Sequence, residues 1–290
     1  MDDKVSIIIP AFNREKEIKK AINSCLDQSY TNIEVIVIDD RSTDHTVEVV
    51  KKIMETDDRV KLYHNDGRQK GANAARNIGF RNATGYYITF CDSDDYLLMD
   101  SLQDRVDCFE KHPNAMMVYG DAYCELHNRR TLWKYDDIKD FDQRKYLLNE
   151  LSLCQQNTIM FKAEILQDIG YLDELLKGWT DDALVLSIGL KYPIYHCHKV
   201  VTIVVKSKES MTSNKKNLYL GLKKLLKKYA KEIINEIGFK RYWIWKIRLF
   251  CHWIYYKQCV CENLVMKEVL GCMHGMIKKR IRCYFRHYFE

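Results

Sequence analysis

Four short apolar runs limit what this chain can fold into more than any other feature. VSIIIPAF (5–12), IEVIVIDD (33–40) and YYITFCD (86–92) are near-continuous, and RVKLYHN (59–65) alternates like a strand. Between them lie REKEIKKAINSCLDQS (14–29), STDHTVEVVKKIMETDD (42–58) and GANAARNIGFRNATG (71–85). Ile18, Ala21, Ile22, Cys25 and Leu26 recur at helical spacing, as do Val47, Val50, Ile53 and Met54, with Ser42, Thr43 and Asp44 available as caps. The third segment reads as a helix with a glycine at each end. The order is therefore β-α-β-α-β-α-β. Apolar strands joined by amphipathic helices predict an α/β fold, a mostly parallel sheet covered on both faces. Such sheets bind ligands beyond the carboxyl ends of their strands.

The middle is less regular. AMMVYGDAYCEL (115–126) reads as a strand, and QQNTIMFKAEILQDIGYLDE (155–174) as a short strand and a helix. GWTDDALVLSIGLKY (178–192) reads as an amphipathic helix opened by two acids, and PIYHCHKVVTIVVKSKES (193–210) as paired strands. Composition shifts at SNKKN. Residues 215–290 hold 18 Lys and Arg against 5 Asp and Glu, a net +13; with +6 overall, residues 1–214 carry −7. The expected domains are 1–214 and a basic, aromatic-rich helical region, 215–290. The first suits a bound cation, the second an anionic surface.

No stretch approaches the ~18–20 uncharged apolar residues that span a bilayer. The acidic start, MDDKVSIIIPAF, lacks the basic region of a signal peptide, so a cytoplasmic start is expected. Eleven cysteines are scattered without a C-x-x-C pair, which points to free buried thiols. His196, Cys197 and His198 read as strand residues, with no partners at zinc-site spacing.

The acids carry the chemistry. In ITFCDSDDYLLMD (88–100) an apolar run stops at Asp92, Asp94 and Asp95, and Asp39-Asp40 end another. Carboxylates gathered at strand ends are costly unless neutralised. Magnesium or manganese, hard cations with oxygen ligands, would neutralise them. The D-x-D spacing of Asp92-Ser93-Asp94 lets both carboxylates serve one ion or its waters. A solvated turn is the other reading of that tripeptide alone. Asp181 and Asp182 open a helix, where the dipole favours acids in any case.

VSIIIPAFNRE, SCLDQSYTNIEVIVIDD, GANAARNIG and the D-S-D-D loop, in this order and separation, resemble the start of a family 2 glycosyltransferase with a GT-A fold. The likeness is close over about 100 residues and looser over about 210. It implies a nucleotide-sugar donor, a divalent metal (Mn²⁺ or Mg²⁺) and inversion at the anomeric carbon. By position it implies that Pro10, Phe12 and Asn13 line the nucleoside pocket and that Asp40 accepts from the base, most often uracil. Arg76 then lies near the base or diphosphate, Asp92 near the ribose with Ser93 beside it, and Asp94 on the metal. Asp181 and Asp182 replace the family's Glu-Asp pair, with Asp182 as base. Trp179 is either a stacking face for an acceptor sugar or core. Arg41 stands where the family commonly has glycine, and is expected to touch substrate or point into solvent. KSKESMTSN (206–214) only loosely resembles the segment that closes over the diphosphate, with Ser207, Ser210 and Thr212 as lid candidates and no histidine as a third ligand.

In the tail, Leu218, Leu222, Leu225 and Leu226 oppose Lys223, Lys224, Lys227 and Lys228. KRYWIWKIRLFCHWIYYKQ (240–258) mixes the amphipathic rings and bases that suit a membrane interface. The expectation is a protein peripheral to the inner face of the cell membrane, acting on a lipid-linked saccharide. A helical cap on the catalytic domain is the other reading. No nucleic-acid module is recognisable. The rival functions are a non-catalytic sugar-nucleotide or membrane scaffold and a sugar nucleotidyltransferase. The latter needs a glycine-rich phosphate loop after the first strand, where this chain has PAFNREKE.

Overall fold

The computed structural model describes residues 3–139, 141–206 and 215–260, without the side chains of 255–260. The chain divides into two compact units, 1–175 with 181–207, and 176–180 with 208–290.

The first unit begins β1 (Val5–Ala11), α1 (Ile18–Leu26), β2 (Ile33–Asp39), α2 (Thr46–Met54), β3 (Val60–His64), α3 (Ala72–Asn82) and β4 (Tyr87–Phe90). β1 pairs in parallel with β2 and β4, and β2 with β3, which is the arrangement the alternating pattern predicts. Every residue of β1, β2 and β4 is buried, because helices cover both faces. The chain continues through β5 (Tyr96–Leu97), α4 (Ser101–Lys111), β6 (Met117–Leu126), β7 (Arg129–Trp133), α5 (Gln143–Glu150), a 3₁₀ turn (Gln156–Thr158), β8 (Ile159–Lys162), α6 (Leu166–Ile169), α7 (Thr180–Gly189) and β9 (Ile194–Val205). The sheet order is β3-β2-β1-β4-β8-β6-β9-β5, with β7 paired to β6. β8 is antiparallel to β4, so the turn that precedes it returns to the carboxyl end of β4.

Two expectations change. Residues 194–205 form one strand, not a pair. Its parallel pairing with β6 is irregular between Tyr119 and Asp121, and His198 takes φ +56°. Gly120 permits the irregularity, since a Cβ there would lie 2.7 Å from the Lys199 carbonyl. The helix α7 is not amphipathic: Leu184, Val185, Leu186 and Ile188 are all buried, so more than one face is covered.

Arg105, on α4, is fully buried and pins β4 to β8. Its guanidinium donates to Thr89 Oγ1 (2.6 Å), the Ile159 carbonyl (3.0 Å) and Ser101 Oγ (2.8 Å).

The second unit contains α8 (Lys215–Lys228), α9 (Ala230–Glu232), a π turn (Ile233–Ile237) and α10 (Phe239–Val260). α8 buries Leu222, Leu225 and Leu226 and exposes Lys223, Lys224, Lys227 and Lys228, as the spacing predicts, while Leu218 is half-buried. Gly178 and Gly221 let two backbones touch: a Cβ on Gly221 would lie 2.2 Å from the Gly178 carbonyl. Among the described residues no helix is long and apolar enough to cross a membrane.

Candidate active site

The loops after β1 and β2 are stitched together by side chains. Asn13, at φ +51°, accepts from the Thr43 amide (2.8 Å) and donates its own amide to Ser42 Oγ (3.0 Å). The Arg14 amide donates to Thr46 Oγ1 (2.7 Å), and the Glu15 amide to Asp44 (3.1 Å). Asp44 also accepts from the Thr46 amide (3.0 Å), so it tethers the first turn of α2. Pro10 is buried within β1 opposite Ile38. Phe12 is exposed, with Lys70 Nζ 3.6 Å from its ring centre.

Asp40 is buried, and both its carboxylate oxygens are engaged. One accepts from Asn65 Nδ2 (2.5 Å), the other from the Gly71 amide (2.8 Å). Asp40 thus holds the 65–71 loop and the start of α3. Arg41 is exposed, as one of its two expectations has it, and its side chain is also held by the fold. Its φ is +68°, the backbone the family's glycine would adopt, and its guanidinium clasps the Asn65 carbonyl (2.9 Å) and that of Gly67. These two bonds offset the cost of a left-handed non-glycine residue. A cleft of about 270 Å³ opens beside this loop, lined by His64, Asn65, Gly67, Gln69, Arg81 and Glu174 among others.

After β4 the three acids have three environments. Arg76 is buried on α3 and donates to Asp92 at 2.6 Å. Arg14 reaches Asp94 at 3.2 Å. Burial, and then the Asp92 charge, push the Asp94 carboxyl above its ordinary value, against the pull of Arg14. Ser93 is buried between them. Asp95 faces inward, accepting from Asn157 Nδ2 (2.5 Å) and the Val205 amide (2.8 Å). Burial and the Asp92 and Asp94 charges push it far above the carboxylate range. Asp95 is therefore a buried brace between the 3₁₀ turn and the end of β9. Sequence reading singled out Asp95 as one of the acids but not its partner Asn157, and it missed Arg14 and Asn65; Arg14 was signalled only by its place just beyond the apolar run.

Three carboxylates share two guanidiniums in the acid loop, and both Asp94 and Asp95 are pushed up by burial and then by acidic neighbours. Among the described residues no group of three His, Cys, Asp or Glu side chains converges as a metal cage. One or two carboxylates suffice where a cation is shared with phosphate oxygens, so Asp94, with Asp92 nearby, fits such an ion. The lid candidates Ser207, Ser210 and Thr212 lie outside the described residues.

Asp182, in the first turn of α7, is held at about 7 by burial and then by the charge of Asp181, against a hydrogen bond from Ser152. Five residues beyond Ser152, Asn157 braces Asp95. One short segment thus supports both the raised carboxyl and the acid loop. Trp179 belongs to the second unit. Its backbone takes φ +61°, its indole N–H donates to the Leu218 carbonyl (3.1 Å), and its ring meets Trp245 edge-on.

Residues 6–170 match the family model for Glycosyl transferase family 2. The chain belongs to that family. Among family 2 relatives, a GalNAc(5)-diNAcBac-PP-undecaprenol beta-1,3-glucosyltransferase of Campylobacter jejuni is 29% identical over 248 residues, covering 81% of this chain and 75% of the relative. The Escherichia coli UDP-Glc:alpha-D-GlcNAc-diphosphoundecaprenol beta-1,3-glucosyltransferase WfgD is 37% identical over 151 residues, 51% of this chain and 57% of its own. An uncharacterized glycosyltransferase of Haemophilus influenzae is 44% identical over 127 residues, 43% of this chain and only 50% of that protein. In fold, the chain resembles Staphylococcus aureus TarS 1–349 in complex with UDP-GlcNAc, with a TM-score of 0.65 at 21% identity over 92% of this chain and 79% of TarS 1–349. A Pyrobaculum calidifontis mannosyltransferase in complex with GDP-Man and Mn²⁺ gives 0.61 at 18% identity, covering 98% and 83%. The architecture is the GT-A fold.

Proposed function

We propose that this protein is an inverting glycosyltransferase that moves a sugar from a UDP-sugar to a hydroxyl of a lipid-linked saccharide. The observation that carries the proposal is the Asp182 carboxyl held at about 7. A base in that range is about half ionised at neutral pH and, once ionised, can accept a proton. In a single displacement the acceptor oxygen forms the new bond to the anomeric carbon and gives its proton to Asp182. The bond from that carbon to the diphosphate oxygen breaks, and the nucleoside diphosphate leaves with the electron pair. Attack opposite the leaving group inverts the anomeric centre.

Phe12, Asn13 and Asp40 bind the nucleoside, Arg76 and Asp92 lie along the ribose and diphosphate, and Asp94 holds a divalent cation. The cation supplies charge stabilisation to the departing diphosphate. Arg14 and Arg76 add fixed positive charge beside the same loop. Uridine as the nucleoside draws support from the UDP-Glc and UDP-GlcNAc named for relatives, and the acceptor class from two undecaprenol-linked ones. Such an acceptor puts the reaction at the inner face of the cell membrane, with the protein peripheral to it.

The test is thermal stabilisation by UDP and a panel of UDP-sugars with and without Mn²⁺, followed by transfer to a synthetic polyprenyl-diphosphate saccharide. A metal-dependent shift with UDP and one sugar, and transfer of that sugar, is the expected result. Stabilisation without turnover of any donor supports a binding scaffold instead. No response to any nucleotide refutes the donor site.

A further inference from the structure

The tail gives an identity to one surface. On α10, Phe239, Trp243, Ile247 and Phe250 are 58%, 54%, 42% and 44% exposed. Their spacing of four, four and three residues aligns them in one stripe about 17 Å long. The stripe is continuous with its own rings: Phe239 meets Trp243 edge-on at 6.0 Å, and Phe250 stacks on Trp253 at 5.6 Å. Trp245 and Cys251, on another side of the helix, are buried. The stripe is thus what α10 leaves uncovered after packing.

The charges on α10 itself are of one sign. Lys240 and Lys246 are exposed, and helical geometry places one at each margin of the stripe. Residues 239–260 include Lys240, Arg241, Lys246, Arg248 and Lys257, and no Asp or Glu.

We infer that this face of α10 docks on an anionic phospholipid bilayer, lying in the interface with its aromatic stripe inserted and its lysines among the headgroups. Trp and Phe beside Lys suit that zone, where one side of a helix is apolar and its margins meet phosphate. A helix too polar to cross a membrane can still lie on one. Pairing with a second copy of α10 is disfavoured by charge. It would bring the marginal lysines together, with no acid on the helix to neutralise them.

The inference rests on the reading of a membrane-borne acceptor, but its test requires no turnover, so the two can fail separately. The full chain is sedimented with phosphatidylcholine vesicles and with vesicles that also contain phosphatidylglycerol. Binding is expected on the anionic vesicles, weakening with salt. Lys240→Gln with Lys246→Gln reduces affinity by roughly tenfold or more. Trp243→Ser with Phe250→Ser reduces it similarly while UDP-induced stabilisation, read in the same samples, is retained. Brominated lipids quench tryptophan emission in the parent, and Trp243→Phe keeps binding but reduces that quenching, leaving the share of Trp253.

Equal sedimentation of the parent and the Trp243→Ser, Phe250→Ser variant overturns the assignment. So does a parent that ignores both vesicles. A parent dimer that the same variant dissociates would give the face to a second copy instead.

Discussion

Replacing Asp182 by asparagine separates what the fold favours from what the chemistry requires. The carboxyl sits at about 7 against an ordinary 3.8, through burial first and the Asp181 charge second. A folded-state value above the unfolded one means that ionising Asp182 costs stability. Below about pH 4 both states hold the proton and nothing is lost. Between there and 7 the unfolded chain releases it while the folded chain keeps it, so stability falls as pH rises. Above 7 the full cost is present. The gap between the two values corresponds to about 4 kcal/mol. Asp182 keeps some contact with solvent, so part of this is screened, and about 2 kcal/mol is the working figure. Asparagine keeps the shape and drops the charge. Asp182→Asn is therefore stabilised by that amount at about pH 8.5 and by roughly half of it near pH 5.5. The melting temperature should rise by several degrees at the higher pH, read by differential scanning fluorimetry in matched buffers. Transfer should fall by about 10²–10⁴-fold while stabilisation by UDP persists. A melting difference independent of pH, or a variant less stable than the parent at the higher pH, would falsify the account of a desolvated base.

Asp94→Ala should remove at least ~100-fold of the metal-dependent donor turnover while the melting temperature holds, because the lost carboxylate was already disfavoured by burial; wild-type turnover would end the metal assignment. Arg14→Ala takes away the cation 3.2 Å from Asp94, so Mn²⁺ should bind several-fold tighter without nucleotide in a calorimetric titration; unchanged or weaker binding means that Arg14 does not compete for the site. For Glu34, burial pushes the carboxyl up, but hydrogen bonds from Lys61, Ser6 and Thr84 outweigh it and bring it down to about 2. Its stabilisation is complete above about pH 4.5 and is lost as pH falls toward 2, so Glu34→Gln should cost about 3 kcal/mol in urea at neutral pH and less in acid. Equal losses at both pH values would place the effect in packing rather than charge.

The parallel half of the fold was legible because burial there is uniform. Ile7, Ile8 and Ile9 are buried together, and such runs have one interpretation when helical spacing separates them. The antiparallel half was legible only in pieces. Tyr96–Leu97 is two residues long and Arg129–Trp133 is largely exposed, so neither carries a hydrophobic signature. The bulge at Gly120 and the left-handed His198 made one long strand read as two. α4 and α5 fell in the stretch that showed no regular pattern. At the site, the acids were visible because charge at the end of a buried strand is locally anomalous. Their partners were not. Arg41 binds carbonyls 24 and 26 residues away, and Asn157 meets Asp95 across 62. Only the closed sheet brings such pairs together.

Partners, more than residue type, distinguish the site's aspartates. Asp40 accepts from two donors fixed by a loop, so it is an anchor for that loop. Asp92 and Asp94 stand at the same strand end, but Arg76 is buried against the first while the more exposed Arg14 meets the second. The Asp92 pair is the more fixed, and the Asp94 pair can open. Asp95, one residue on, turns away from these cations to a backbone amide and an asparagine, and burial raises its carboxyl well above the ordinary value. Burial beside the Asp92 charge raises Asp94 at the strand end, and the same means, burial beside Asp181, brings Asp182 to about 7, the range in which the proposed base can accept a proton.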